Sequence, residues 1–213
     1  MNHQHRVRLF DDWAEHYDQS IRDDGGFPFD GYEQVLDEIT RAAGAQGGMK
    51  VLDLGVGTGN LAARFWALGC DLWGLDFSAE MLAKAAEKLP HAVLVQADLL
   101  GDWPGELERR FDRIVSAYVL HEFDLSTKVD LLRRLAEGHL AAEGRIVVGD
   151  IAFRTTGMRE RAHKQWVDGW DEGEYYWAAD ETAHVCERVG LQVTYKQVSS
   201  CGGVFVIEPM GAG

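Results

Sequence analysis

The sequence predicts an α/β protein built on one doubly wound sheet of seven strands, mostly parallel, with the last strand antiparallel. Three observations carry that expectation. An apolar run, Met49 to Leu54, breaks into three glycines at alternate positions, Gly55, Gly57 and Gly59, and then into helical spacing at Leu61, Phe65 and Leu68. Five apolar runs of strand length alternate with helical patterns, which calls for a parallel sheet with right-handed crossovers. Finally, Leu191–Val198 and Gly203–Ile207 are joined by so short a turn that they must form an antiparallel hairpin.

Size and composition narrow the classes. With 213 residues, 46% hydrophobic and 26% charged, the chain suits one soluble domain with a sizeable core. The net charge of −14 disfavours a phosphate backbone as partner, so no nucleic acid is expected. No apolar run has membrane-spanning length, and the N-terminus lacks the apolar core of a signal peptide. Three scattered cysteines, Cys70, Cys186 and Cys201, suit reduced thiols in the cytoplasm, and no metal-ligand spacing is present.

In chain order, Leu9, Trp13, Ala14 and Tyr17 fall at helical spacing, and a turn-rich stretch, 22–29, follows. Tyr32, Val35, Leu36, Ile39 and Ala43 mark a helix ended by Gly44 and Gly47-Gly48. Beyond the glycine loop and its helix, Cys70–Asp76 reads as the second strand. Ser78 caps a helix through Met81, Leu82 and Ala85 that stops at Pro90. His91–Leu99 reads as the third strand, and Phe111–Phe123 as the fourth with its exit. Ser126 is expected to cap a long helix through Leu140 ending near Gly144, with Arg145–Ile151 as the fifth strand. Residues 154–179 break the alternation: Trp166, Trp170, Tyr175, Tyr176 and Trp177 crowd among acids. Asp180 is expected to cap the last helix, which Gly190 ends.

The glycine loop carries the chemistry. Glycine permits positive φ and close approach of a ligand to the main chain. A helix start presents N–H groups that suit an anionic group. The register, however, is G-x-G-x-G, with Asn60 where a dinucleotide fingerprint has its third glycine. Asp53 would also repel a pyrophosphate and fits a ligand carrying an amine. Asp76, ending the second strand, is placed to accept both ribose hydroxyls of a nucleoside, with Phe77 against the base.

Asp53-Leu-Gly55-Val-Gly57-Thr-Gly59 resembles the first motif of class I S-adenosylmethionine-dependent methyltransferases of the small bacterial kind. Further stations agree with it. Trp13-Ala-x-x-Tyr17-Asp resembles that family's N-terminal cap helix, and Phe111-Asp-Arg-Ile to Val119-Leu-His121 its fourth-strand motif. The resemblance implies the Rossmann-like class I methyltransferase fold with N-terminal cap helices, in a single domain, 1–213. Its parts are cap helices (1–45), a cofactor-binding core (49–153), a substrate-side insertion (154–179) and a last helix with hairpin (180–208). It implies S-adenosyl-L-methionine as cofactor, held by Asp53, Gly55, Gly57, Gly59, Asp76 and Phe77. Ala97, Asp98 and Leu99 lie at the adenine, and Ala117 where the chain passes the sulfonium. Tyr17 and His121 are the candidate catalytic residues. Tyr17, His121, Glu122, Trp166 and Tyr176 are expected on the substrate side, facing a small-molecule acceptor.

A structural or gating role for His121 is weighed above general base catalysis, because in-line displacement at a sulfonium methyl depends chiefly on alignment. For each single aromatic, core packing is weighed above ligand contact. Two rivals stay open: a non-catalytic binder or sensor of S-adenosylmethionine, possibly a homodimer, and a nicotinamide-dependent oxidoreductase. Asp53, the loop register and the hairpin disfavour the second.

Overall fold

Strands covered on both faces need near-continuous apolar runs, and those runs organise the computed structural model, which describes residues 26–211. β1 (Lys50–Leu54), β2 (Asp71–Asp76), β3 (Val93–Gln96), β4 (Phe111–Ala117) and β5 (Leu140–Phe153) pair in parallel. A two-residue strand, β6 (Trp177–Ala178), adds in parallel to the end of β5. β7 (Leu191–Gln197) and β8 (Gly202–Pro209) form the hairpin, and β8 runs antiparallel to β5. Across the sheet the order is β3-β2-β1-β4-β5-β8-β7, as expected of a mostly parallel seven-stranded sheet with a reversed last strand. The order reverses between β1 and β4, and the crevice at such a reversal is where open α/β sheets bind ligands.

Among the described residues six α-helices accompany the strands: α1 (Tyr32–Ala43), α2 (Asn60–Ala67), α3 (Ala79–Lys88), α4 (Leu125–Gly138), α5 (Thr156–Gln165) and α6 (Ala179–Glu187). The sheet divides the core in two, with neighbouring strand residues such as Val51 and Leu52 on opposite faces. One half packs Trp73, Phe111, Leu132, Trp177 and Phe205; the other packs Val35, Ile39, Phe65, Val115 and Tyr118. α1 lies so close on β5 that a Cβ at Gly149 would stand 2.5 Å from Ile39 Cδ1 and 2.6 Å from Val35 Cγ1. Only glycine lets that helix reach the sheet.

Several boundaries differ from the sequence expectation. Asp124, not Ser126, caps α4: its carboxylate accepts from Thr127 N–H at 2.8 Å, and Ser126 Oγ donates to it at 2.7 Å. α4 stops at Gly138, and Leu140 begins β5 by pairing with Phe111 across a register shift. Leu140 fits the helical spacing by coincidence; its side chain folds over Gly144, where a Cβ would meet it at 2.8 Å. Asp180 does not cap α6, whose first residue is Ala179; it accepts instead from Thr156 N–H at 3.0 Å, at the start of α5. The third strand ends at Gln96, leaving 97–99 in the following turn. Ser78 caps α3 as expected, accepting from Met81 N–H at 3.1 Å. The cap-helix expectation, with Trp13 and Tyr17, falls outside the described residues.

Candidate active site

The glycine loop takes the backbone shape its residues permit. Gly55, Gly57 and Gly59 have φ of 67°, 53° and 86°, the left-handed region open to glycine. The loop is tied down by β2: Gly55 N–H and Val56 N–H both donate to Leu75 O, at 2.7 and 2.9 Å. Asp76 accepts from Gly57 N–H at 2.8 Å and from Ser78 N–H at 2.9 Å, joining the loop to the start of α3. Asp76 is buried, and it sets the shape of the loop as well as the end of β2.

Asp53 sits beneath this loop at 1% exposure. The start of α2 faces it, since Ala62 N–H donates to the carboxylate. The helix N-terminus therefore spends part of its positive field on the protein's own acid, not on a ligand phosphate. The second oxygen, Oδ2, has no protein hydrogen bond. Burial first, then the charge of Asp76, pushes the Asp53 carboxyl well above the usual carboxylate range, against the Ala62 hydrogen bond. Asp53, Gly55 and Ala117 line one cavity with Tyr32 and Asn60.

The remaining cofactor-side candidates separate. Phe77 is half-buried, with its carbonyl accepting from Gln96 Nε2–H at 3.0 Å, and Ala97 N–H donates to Asp76 O at 3.0 Å. These two stand beside Asp76. Asp98 is exposed and closes its own turn, accepting from Leu100 N–H at 2.9 Å. The Leu99 side chain points into the core with Val95 and Leu107.

Sequence reasoning missed two residues here. Tyr32, taken only for the apolar face of α1, walls the cavity, and its hydroxyl accepts from Asn60 Nδ2–H at 3.4 Å. Tyr118 is the one non-glycine with positive φ, 55°, among the described residues, and it stacks on Tyr32 with centroids 5.1 Å apart. Such a conformation in a bulky residue is costly and collects at functional sites.

A second cluster lies where β4 and β5 end. His121 is 8% exposed; its Nδ1–H donates to Asp150 Oδ1 at 2.6 Å and its backbone N–H to Asp150 Oδ2 at 2.9 Å. Trp177 Nε1–H and Ile151 N–H also donate to Asp150, each at 2.9 Å. On its other side, His121 Nε2 stands 3.6 Å from Glu174 Oε1. Burial alone would lower the imidazole pKa. The charge and hydrogen bond of Asp150, with Glu174 and Glu122 behind, outweigh it and hold His121 at about 9. His121, Glu122 and Glu174 bring donor atoms within 4.8 Å of one another, a spacing open to a cation.

The predicted aromatics pack largely on each other. Trp166 stacks on Phe27 at 4.8 Å, and Tyr176 meets Trp170 edge-on at 4.5 Å and the His121 ring at 6.3 Å. Tyr176 is 3% exposed; burial, then its hydrogen bond with Glu174, raises its pKa. Asp150, Glu174 and Lys128 belong to this cluster and were not singled out from the sequence. The available signal was an acid late in the fifth strand, of the same kind as Asp76.

Known proteins resemble this chain in sequence and in fold. The model of a methyltransferase domain matches residues 51–144. An uncharacterized methyltransferase of Geobacillus thermodenitrificans is 33% identical over 94% of this chain and 94% of its own length. One of Oceanobacillus iheyensis is 30% identical over 91% and 92%. Among solved structures, the DhpI-SAM-HEP complex has a TM-score of 0.75 at 20% identity, covering 98% of this chain and 100% of that one. A TehB-like SAM-dependent methyltransferase from Corynebacterium glutamicum has a TM-score of 0.61 at 26% identity, covering 92% and 97%. The chain belongs to the class I S-adenosylmethionine-dependent methyltransferases, and S-adenosylmethionine is its cofactor.

Proposed function

We propose that this methyltransferase acts in the cytoplasm on a small-molecule acceptor, with the cofactor at the β1–β4 crevice and the acceptor at the ends of β4 and β5. The observation that carries the reading is Asp53, a buried carboxylate with one oxygen lacking a protein partner, in a cavity closed by the glycine loop. A buried charge demands a partner, and the ammonium of an amino-acid-bearing nucleoside supplies one. The residues present thus fit the cofactor. Asp53 would hold its amine, Asp76 its ribose hydroxyls, Phe77 and Ala97 would flank its base, and Tyr32 would wall the methionine end. Bound there, the cofactor supplies a methyl group activated by a sulfonium.

The chain's own contribution on the acceptor side is orientation. His121, charged at neutral pH by its pairing with Asp150, holds a proton at Nδ1 and cannot serve as a ready base. It is a positioning residue: its backbone and ring together fix the turn after β4, and Tyr175 N–H donates to its carbonyl at 2.6 Å. The buried aromatics behind it exclude water.

Calorimetry with S-adenosylhomocysteine and NAD, on the wild type and Asp53→Asn, tests the cofactor assignment. The expected outcome is binding of the nucleoside alone, weakened at least tenfold by the substitution. Tighter binding of NAD, or an unchanged Asp53→Asn, would overturn it. Transfer of label from the cofactor methyl into a small-molecule pool distinguishes catalysis from sensing.

A further inference from the structure

On α4, Lys128 buries its side chain to 2% exposure, yet it lines a cleft of about 340 Å³ between α4, α5, α6 and residues 170–177. Its ammonium donates to the backbone carbonyl of Tyr175 and lies 4.1 Å over the Trp177 ring. Among the described residues no carboxylate oxygen stands within the 4.0 Å of an ion pair with it.

An ammonium has three protons and no acceptor capacity. One proton is taken by Tyr175, while the indole face offers charge stabilisation without a hydrogen bond. Burial pushes the ammonium pKa down to about 8, outweighing Asp150, which favours its charge from a distance, so a buried cation with no anion in contact is costly.

The carboxylates nearby are already committed. Asp150 accepts from His121, Trp177 and Ile151; Glu181 pairs with Arg159; Glu174 faces His121 at 3.6 Å. What Lys128 lacks is an anion in direct contact, and the cleft gives one a way in. The walls describe the rest of that ligand: Trp170, Tyr175, Tyr176 and Trp177 offer flat apolar surface, and Arg159 brings a second cation to the lining. Aromatic walls with one or two placed charges are the usual make-up of a small-molecule pocket. Through Tyr176 and Glu174 the cleft adjoins the His121 cluster.

We propose that this cleft binds the carboxylate of a flat, apolar organic acid against Lys128 Nζ, and that such acids are the acceptor class of this enzyme. The acceptor role rests on the methyl-transfer reading above; the binding itself does not.

The probes are benzoate and its neutral isostere benzamide, titrated against the full chain by ligand-observed NMR. Benzoate is expected to bind at least tenfold more tightly than benzamide. Lys128→Met should bring benzoate down to the benzamide level while leaving affinity for S-adenosylhomocysteine unchanged, and Lys128→Arg should keep the preference. Equal binding of the two probes by the wild type overturns the proposal without need of any variant, as does a folded Lys128→Met that still prefers benzoate. S-adenosylhomocysteine titrated in the same samples reads the methyl-transfer assignment separately. Its binding without a benzoate preference defeats this inference alone. A benzoate preference without its binding upholds the carboxylate site and removes the acceptor role.

Discussion

Two buried carboxylates stand near the C-terminal ends of the central strands, and the protein treats them in opposite ways. Asp53 on β1 is 1% exposed and Asp150 on β5 is 0% exposed. Asp150 accepts from His121 twice, from Trp177 and from Ile151. Burial would raise its pKa, but the His121 charge and hydrogen bond, aided by Lys128, hold it below the ordinary value. Asp53 accepts from one backbone N–H, keeps one oxygen unmatched, and is pushed the other way. One acid is completed by the fold; the other is not, and in the proposed reading the cofactor's amine completes it. On that reading the contrast separates the part of the site that holds the chain together from the part that binds the cofactor.

Substitution should expose that contrast most plainly. Asp150→Ala leaves a buried imidazolium and an indole N–H unpaired, and breaking a buried pair this way costs about 3–5 kcal/mol. Asp53→Asn removes a desolvated acid that the apo protein does not compensate, so the apo stability should change by less than about 1 kcal/mol, or rise. Urea denaturation of both variants measures this. A comparable loss in the two would mean that Asp53 is structural and the comparison wrong.

How much of this was legible follows from the same contrast. Asp53, the three glycines and Asp76 lie within two consecutive strand ends, and the loop's demand for positive φ is written in residue type. The succession of strands along the chain and the reversed last strand were legible too, because each strand carries its own apolar run and the hairpin turn is short. The Asp150 cluster was not. His121 meets a carboxylate 29 residues away, Lys128 meets Tyr175 across 47, and neither partner carries a local motif. Asp150 looked like a strand residue because nothing in its neighbourhood names the imidazole it will hold. Helix ends failed for a different reason. Ser126 and Asp180 are both good cap residues by type, but Asp124 lay nearer the helix start and Asp180 was drawn to another helix. Tyr32 hid in plain helical periodicity, which reports burial and not what the buried ring faces.

The glycine loop offers a second, finer test within the cofactor side. Gly55 and Gly57 both have positive φ, but their surroundings differ: a Cβ at Gly55 would meet Val119 Cγ2 at 2.4 Å, whereas at Gly57 the nearest atom is Gly55 O at 3.9 Å. Gly57→Ala therefore carries backbone strain alone, about 1–2 kcal/mol. Gly55→Ala adds overpacking against Val119, for a total of about 2–4 kcal/mol. Equal losses of melting temperature in the two variants would show that conformation, and not contact with the turn after β4, fixes the loop.

The smallest effect expected is on pH dependence, and there the two acids should again part. A carboxyl whose folded pKa is raised binds its proton more tightly in the folded chain than in the unfolded one. Its ionisation therefore costs apo stability as pH climbs from the ordinary carboxylate value through the folded one. Asp53 is such a group. An ammonium bound beside it favours the charged form, so the thermal stabilisation given by S-adenosylhomocysteine should grow as pH rises across that window. Asp53→Asn should flatten the growth. The His121–Asp150 pair works at the other end of the scale. The His121 pKa is raised from 6.5 to about 9, so its stabilisation is complete below the unfolded value and is lost as pH rises through about 9. If the cofactor pairs with Asp53 and not with His121, as proposed, that loss should occur with and without ligand, and it should fade in His121→Gln. Melting curves across pH, taken with and without S-adenosylhomocysteine, separate the two. A ligand-dependent change confined to the alkaline side would place the cofactor's amine near His121 and overturn the assignment of Asp53.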